Sequence, residues 1–108
     1  METIFFEEFN KLDIRIGEII SAEHIEGSKK LLKLTIDLGV ERRTIVAGIA
    51  EYYKGENLVG KQIPVIVNLT PKMIKGVESQ GMILAGDNYG TPVLLHPDKM
   101  ITNGSIIR

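Results

Sequence analysis

An active site in this chain would have to be assembled from Ser79, His24, His96, Asp13 and Glu18, and their spacing argues against one. Ser79 has no neighbouring base to take its proton, so its hydroxyl is not an activated nucleophile. Asp13 and Glu18 make an imaginable acid–base pair. They fall in an alternating stretch with Arg15 between them, however, which points to a surface ion pair. The two histidines are far apart, with no cysteine and no acid at ligand spacing, so no zinc site is expected. His24 reads as a strand surface residue, and His96 as a loop residue before Pro97. Gly81 leads into an apolar strand, not into a Lys-Ser or Lys-Thr helix start, so no phosphate-cradling loop is expected either. The expectation is a chain with no catalytic residue, no metal and no cofactor.

What remains is the chemistry of cations. Between Asn57 and Val77 lie Lys61, Lys72 and Lys75 without a single acid. A second group is Lys29, Lys30 and Lys33, followed by Arg42 and Arg43. Acids gather at the N-terminus and around Glu51 and Glu56. A net charge of −1 therefore leaves room for one positive face. Lysines scattered over a solvated surface would give the same count.

The elements that must position these groups are strands. The length of 108 residues suits one domain, residues 1–108, with 44% hydrophobic residues, enough for a working core without a staple. The absence of cysteine excludes disulfides and fits a reducing compartment. No apolar run reaches the length of a membrane span, and acids stand where a signal peptide carries basic residues, so a soluble cytoplasmic protein is expected.

Thr3 is placed to cap a short helix with Phe5, Phe9 and Leu12 on one stripe. A long strand starts at Leu12, with Gly17 marking a bend or bulge. After a turn at Gly27–Lys30, Leu32, Leu34, Ile36 and Leu38 alternate cleanly, and Gly39-Val40-Glu41 connects them to a strand from Arg42 to Ala47. Gly48–Lys54 is expected to form a short helix ending at Gly55. Lys61–Leu69 is a strand with Ile63, Val65, Val67 and Leu69 on one face, and Pro64 near its start or on an edge. Met82–Gly86 is another strand, Asp87–Gly90 a hairpin turn, and Val93–Leu95 and Ile106–Ile107 are candidate last strands. Five core strands with a helical piece after the third match the plan of an all-β OB-fold, a five-stranded Greek-key barrel, here with short helices and a strand-rich C-terminal extension.

One segment narrows the reading. Asn68-Leu69-Thr70-Pro71-Lys72-Met73-Ile74-Lys75-Gly76-Val77-Glu78-Ser79-Gln80-Gly81-Met82 resembles the signature of the tRNA-binding domain family, which runs roughly Asn-Leu-x-Pro-x-x-x-x-Gly-x-x-Ser-x-Gly-Met. This module is found in methionyl-tRNA synthetases, in free-standing structure-specific tRNA-binding proteins and in the endothelial monocyte-activating polypeptide precursor. Phe9–Gly17, Asp37–Gly39, Arg42–Ile49 and Leu58–Lys61 extend the resemblance over essentially the whole chain. His24-Ile25 departs from the family's His-Pro before the turn.

The resemblance implies an OB-fold, a homodimer, and binding of tRNA by shape with little dependence on sequence, in the service of a methionyl-tRNA synthetase catalytic chain or domain. It carries over to Ser79 and Met82, with Lys72 and Lys75 close by. If alternate strand residues face outward, Lys33, Thr35, Arg43 and Asn68 line one surface, where Lys and Arg would meet phosphates. Asn68 and Ser79 would offer hydrogen bonds to phosphate or 2′-OH, and Met82 an apolar contact. Each has a plainer alternative: Ser79 as a turn or cap residue, Met82 as core, and Asn68 as a partner for loop backbone before Pro71. Phe5, Phe6 and Phe9 read as core or dimer contacts, and Tyr52 and Tyr53 as covers for the barrel end. A chaperone of the same fold that binds unfolded polypeptide is the competing expectation.

Overall fold

The structure, a computed structural model, describes residues 1–108. Alternating apolar residues build β1 (Ile14–His24), β2 (Leu32–Asp37), β3 (Arg42–Ala47) and β4 (Gln62–Ile66). They are followed by β5 (Lys72–Ile74), β6 (Val77–Ser79), β7 (Met82–Ile83), β8 (Ala85–Asn88) and β9 (Thr91–Leu94). One antiparallel sheet runs in the order β3-β2-β1-β4-β7, while β5–β6 and β8–β9 are separate hairpins. The curled sheet forms a nearly closed five-stranded barrel, the expected OB-type architecture.

The barrel interior takes Leu32, Leu34, Ile36 and Leu38 from β2 and its exit, Ile45 and Ala47 from β3, and Ile63, Val65 and Val67 from β4 and its exit. Leu69, expected on the same face, is 40% exposed because β4 has ended by then. Gly17 faces this interior opposite Ile63. A Cβ there would lie 2.4 Å from Ile36 Cγ2 and 3.1 Å from Leu38 Cδ2. Close packing across the barrel, not a bulge, thus requires the glycine, and the register shift of β1 lies between Ile19 and Ser21 instead.

Three other expectations are corrected. The first helix, α1 (Phe6–Phe9), is capped at Phe5, not Thr3, and the Glu8 carboxylate accepts the Phe5 N–H at 3.3 Å. The segment expected as a helix over Gly48–Lys54 is a turn. Ala50 donates to Lys30 O and so is pinned to the β1–β2 connection; a one-turn 3₁₀ helix follows at Gly55–Asn57. Pro64 is buried in the middle of β4, away from any exposed edge. Its partner Ile16 spends its own N–H on Ser105 and its C=O on Gly104, so the Ile16–Pro64 pair exchanges no backbone bonds. On the other side Leu84 donates its N–H to Pro64 O at 3.1 Å, so the proline still accepts a bond there and only the return donor is absent.

The C-terminal segment lies beside the first half of β1, where β2 has stopped. Ile107 donates to Ile14 O, and Arg15 bridges to Ile106. Gln62, 3% exposed, clamps this segment: its amide NH₂ donates to Ile101 O at 2.6 Å and Asn103 Oδ1 at 2.8 Å, and its oxygen accepts the Ile101 N–H.

Closure occurs where β3 meets the residues between β6 and β7. No strand ladder forms there. Val46 donates its N–H to Ser79 Oγ at 3.0 Å, and Thr44 donates to Gln80 Oε1 at 3.0 Å. Gln80 N–H returns a bond to Thr44 O. The Ser79 hydroxyl in turn donates to Gly81 O at 3.2 Å. Gly81 has φ +151, and a Cβ on it would lie 2.7 Å from Ile66 O.

Removing the hydroxyl in Ser79→Ala leaves the Val46 N–H of β3 without its partner, with an expected loss of about 1–3 kcal/mol in urea unfolding. Gln62→Ala should release the tail, so that hydrogen exchange at Gly104, Ser105 and Ile107 accelerates well before that of the β2 amides.

Candidate nucleic-acid interface

The β5–β6 hairpin projects from the closure point. Ile74 and Val77 are its last pair, and the two residues between them, Lys75 and Gly76, have φ +50 and +78. Both being positive makes this a type I′ turn, the form whose twist matches the strands it joins. Glycine adopts the second position freely. A lysine in the first is disfavoured by roughly 1–2 kcal/mol because its Cβ crowds the backbone. The fold therefore holds Lys75 at the tip of a tight hairpin at some cost.

Shallow depressions flank the hairpin. One, of about 370 Å³, is bounded by Lys33, Thr44, Gly76, Val77, Glu78 and Gln80. The other, of about 330 Å³, lies among Glu41, Arg42, Arg43, Leu69, Pro71 and Gln80. Gln80 borders both. Lys72 follows Pro71 directly and, like Lys75, is exposed. The protein contains only two ion pairs, Arg15–Asp13 at 2.9 Å and Arg43–Glu41 at 2.7 Å. Lys33, Arg42, Lys72 and Lys75 are thus cations without an acidic partner, grouped around one hairpin. Asp13 hydrogen-bonds Arg15 and holds its guanidinium pKa above the ordinary value, with the Asp13 charge adding to the effect.

The sequence candidates divide into two sets. Lys33, Lys72 and Lys75 gather at the hairpin with free charges. Met82 is 46% exposed and paired with Ile66 on β7, outside the core. The polar groups of the other three are engaged within the fold. Ser79 is 5% exposed and its hydroxyl closes the barrel. Asn68 accepts the Asp13 N–H at 2.8 Å and donates to Lys11 O at 2.6 Å, tying the N-terminal segment to the exit of β4. Arg43 does not share an outward surface with Lys33. It pairs with Ile36 on the inward side of β3, and its guanidinium reaches Val67 O, Gln80 O and Glu41 across the barrel end. The outward phase of β3 is the other one: Thr44 and Val46 are the outward partners of Thr35 and Lys33.

Two residues of this surface were missed. Gln80 occupies a variable position of the signature, and nothing in its type announces a strand-edge partner. Arg42 reads in the sequence only as part of a basic group; its place beside Pro71 depends on the tertiary closure.

Just beyond the end of β3, Tyr53 caps the barrel as expected. Its hydroxyl donates to Pro92 O at 3.1 Å and accepts the Leu94 N–H at 3.2 Å, while Tyr52 is 51% exposed. A third depression of about 460 Å³ lies near α1 and the chain's end, bordered by Phe6, Phe9, Leu12, Arg15, Ile106 and Ile107. Phe6 and Phe9 are exposed, so they are not core. No helix is long and apolar enough to cross a membrane.

Comparison with known proteins agrees with this arrangement. The family described as "Putative tRNA binding domain" matches residues 14–106. The methionine–tRNA ligase of Methanothrix thermoacetophila is 54% identical over 103 residues, covering 95% of this chain and 15% of that protein. The Archaeoglobus fulgidus ligase is 53% identical over 104 residues, covering 96% of this chain and 16% of that protein. The chain thus spans about a sixth of the length of these relatives. A MetRS related protein from Pyrococcus horikoshii superposes with a TM-score of 0.95 at 39% identity, over 100% of both chains. The chaperone CsaA of Bacillus anthracis superposes with a TM-score of 0.90 at 35% identity, over 99% of this chain and 100% of that one. With a match across nearly its whole length and full-length structural likeness at this identity, the chain belongs to the tRNA binding domain family.

Proposed function

We propose that this domain binds tRNA through the phosphate backbone and adds affinity to a methionyl-tRNA synthetase, catalysing nothing itself. The observation that carries this is the cluster of unpaired cations, Lys33, Arg42, Lys72 and Lys75, around a short hairpin with a tight turn. Phosphate contacts position an RNA without reading its bases, which fits recognition by shape. Ser79 and Asn68 serve this surface from within, by fixing the hairpin root and the N-terminal segment. Met82, half-exposed beyond Gln80, supplies an apolar contact for ribose or base.

A single small patch of cations binds weakly at physiological salt. Two copies acting on one tRNA, or one copy tethered to a synthetase, raise the effective concentration instead. The exposed apolar groove at Phe6, Phe9, Leu12 and Ile106 supports a symmetric homodimer that buries it. The same groove, together with the likeness to CsaA, favours the second reading, in which unfolded polypeptide is the ligand. The proposed setting is cytoplasmic, where tRNA and synthetase meet.

Titrating unfractionated tRNA at several salt concentrations separates the readings. Saturable binding with a steep linear fall of log affinity against log salt is expected. Each of Lys33→Gln, Lys72→Gln and Lys75→Gln should reduce that slope by about 1 while leaving the far-UV spectrum unchanged. Absence of tRNA binding at low salt, with saturable binding of an unfolded polypeptide, would replace this function with the chaperone reading.

A further inference from the structure

The β8–β9 hairpin repeats the design of the lysine hairpin with a different side chain. Asn88 and Thr91 are its last pair, and the two residues between them, Tyr89 and Gly90, have φ +52 and +90. This is again a type I′ turn. Its first central position favours Asn, Asp or Gly and disfavours an aromatic residue. The Asp87 carboxylate accepts the Gly90 N–H at 2.7 Å and fixes the turn. Tyr89 and Lys75 are the only non-glycine residues in the protein with positive φ. Tyr89 is fully exposed, at 103%, and its hydroxyl has no hydrogen-bond partner in the fold. The ring therefore adds nothing to folding, and a smaller polar residue would suit the turn better.

The two hairpins are rooted side by side. Ser79 and Gln80 meet β3 at Val46 and Thr44. Gly48, two residues past Val46, borders a depression with Glu51 and Tyr52 and with Gly86, Asp87, Gly90 and Pro92 of the second hairpin, from its first strand to its turn. Two residues of chain keep Val46, where the first hairpin meets β3, within roughly 7 Å of Gly48, which faces the second. This second depression contains Glu51 and Asp87 and no cation, so it repels phosphate. A nucleobase is neutral, stacks on an aromatic face, and offers amino groups that a carboxylate accepts.

We propose that Tyr89 stacks on an unpaired base of a tRNA whose backbone lies on the lysine hairpin. The inference rests on the tRNA-binding reading above. A tRNA offers unpaired bases in its loops and at its 3′ end, and stacking tolerates any base because every base has a π-face.

The test compares wild type, Tyr89→Phe and Tyr89→Asn in tRNA titrations across salt, with thermal melts alongside. Tyr89→Asn should melt at or above the wild-type temperature, because asparagine suits the turn. It should nevertheless bind tRNA about 5- to 100-fold more weakly with an unchanged salt slope, since stacking releases no counterions. Tyr89→Phe should bind as wild type does. Equal affinity of Tyr89→Asn and wild type would overturn the stacking role while leaving the tRNA-binding reading intact. A loss of affinity accompanied by a smaller slope would also overturn it, since that marks a lost phosphate contact. Failure of wild type itself to bind would reject the function and this role together. Weaker binding of unfolded polypeptide, without a change for tRNA, would assign the ring to a peptide.

Discussion

The free edge of β3 is the constraint on which the rest depends. A curled sheet has two edges, here β3 and β7, to bring together, and exposed strand edges invite pairing with other chains. Here the edge amides of Thr44 and Val46 are satisfied by the side chains of Gln80 and Ser79 in place of a fifth ladder. Arg43 then fastens the open end by reaching the carbonyls of Val67 and Gln80. Because side chains and the single backbone bond from Gln80 to Thr44 O make the closure in place of a ladder, the backbone on either side is free to leave the barrel. It does so on one side as the β5–β6 hairpin and, beyond β7, as the β8–β9 hairpin.

This division of labour alters the meaning of the signature segment. Its asparagine, serine and second glycine act inside the fold: Asn68 binds backbone of Lys11 and Asp13, Ser79 binds Val46, and Gly81 lies against Ile66 O. The proposed ligand surface is left to the side chains between them and to cations brought from β2 and the start of β3. Losing Ser79 would then weaken binding by loosening the hairpin root, whereas losing Lys72 or Lys75 would remove charge without touching the barrel.

The sequence made the barrel legible because its interior is written in strict alternation, as in Leu32, Leu34, Ile36 and Leu38, all buried. It misled where a tertiary contact chose between local options. Gly17 looks like a bulge residue and is a gap for Ile36. Pro64 looks like an edge residue and sits opposite Ile16, whose backbone bonds go to the C-terminal segment. Gly48–Lys54 has helical spacing, but Ala50 is held by Lys30 O. Among candidate site residues, the exposure of Lys72 and Lys75 was legible because a long charged side chain with no acidic partner stays in water. Ser79 and Arg43 were not, since type and spacing cannot say whether a polar group faces solvent or a strand edge. Tyr89 carried a local signal, an aromatic residue before glycine in a hairpin turn, but its significance depends on where the second hairpin is rooted.

The most direct measurement is the mapping of amide and lysine side-chain NMR shifts as tRNA is added to the labelled protein. Perturbations concentrated at Lys33, Arg42 and residues 72–78, with the Val46 amide still protected by Ser79, are the expected result. Shifts confined to Phe6, Phe9, Leu12 and Ile106, with the lysine hairpin silent, would contradict the account.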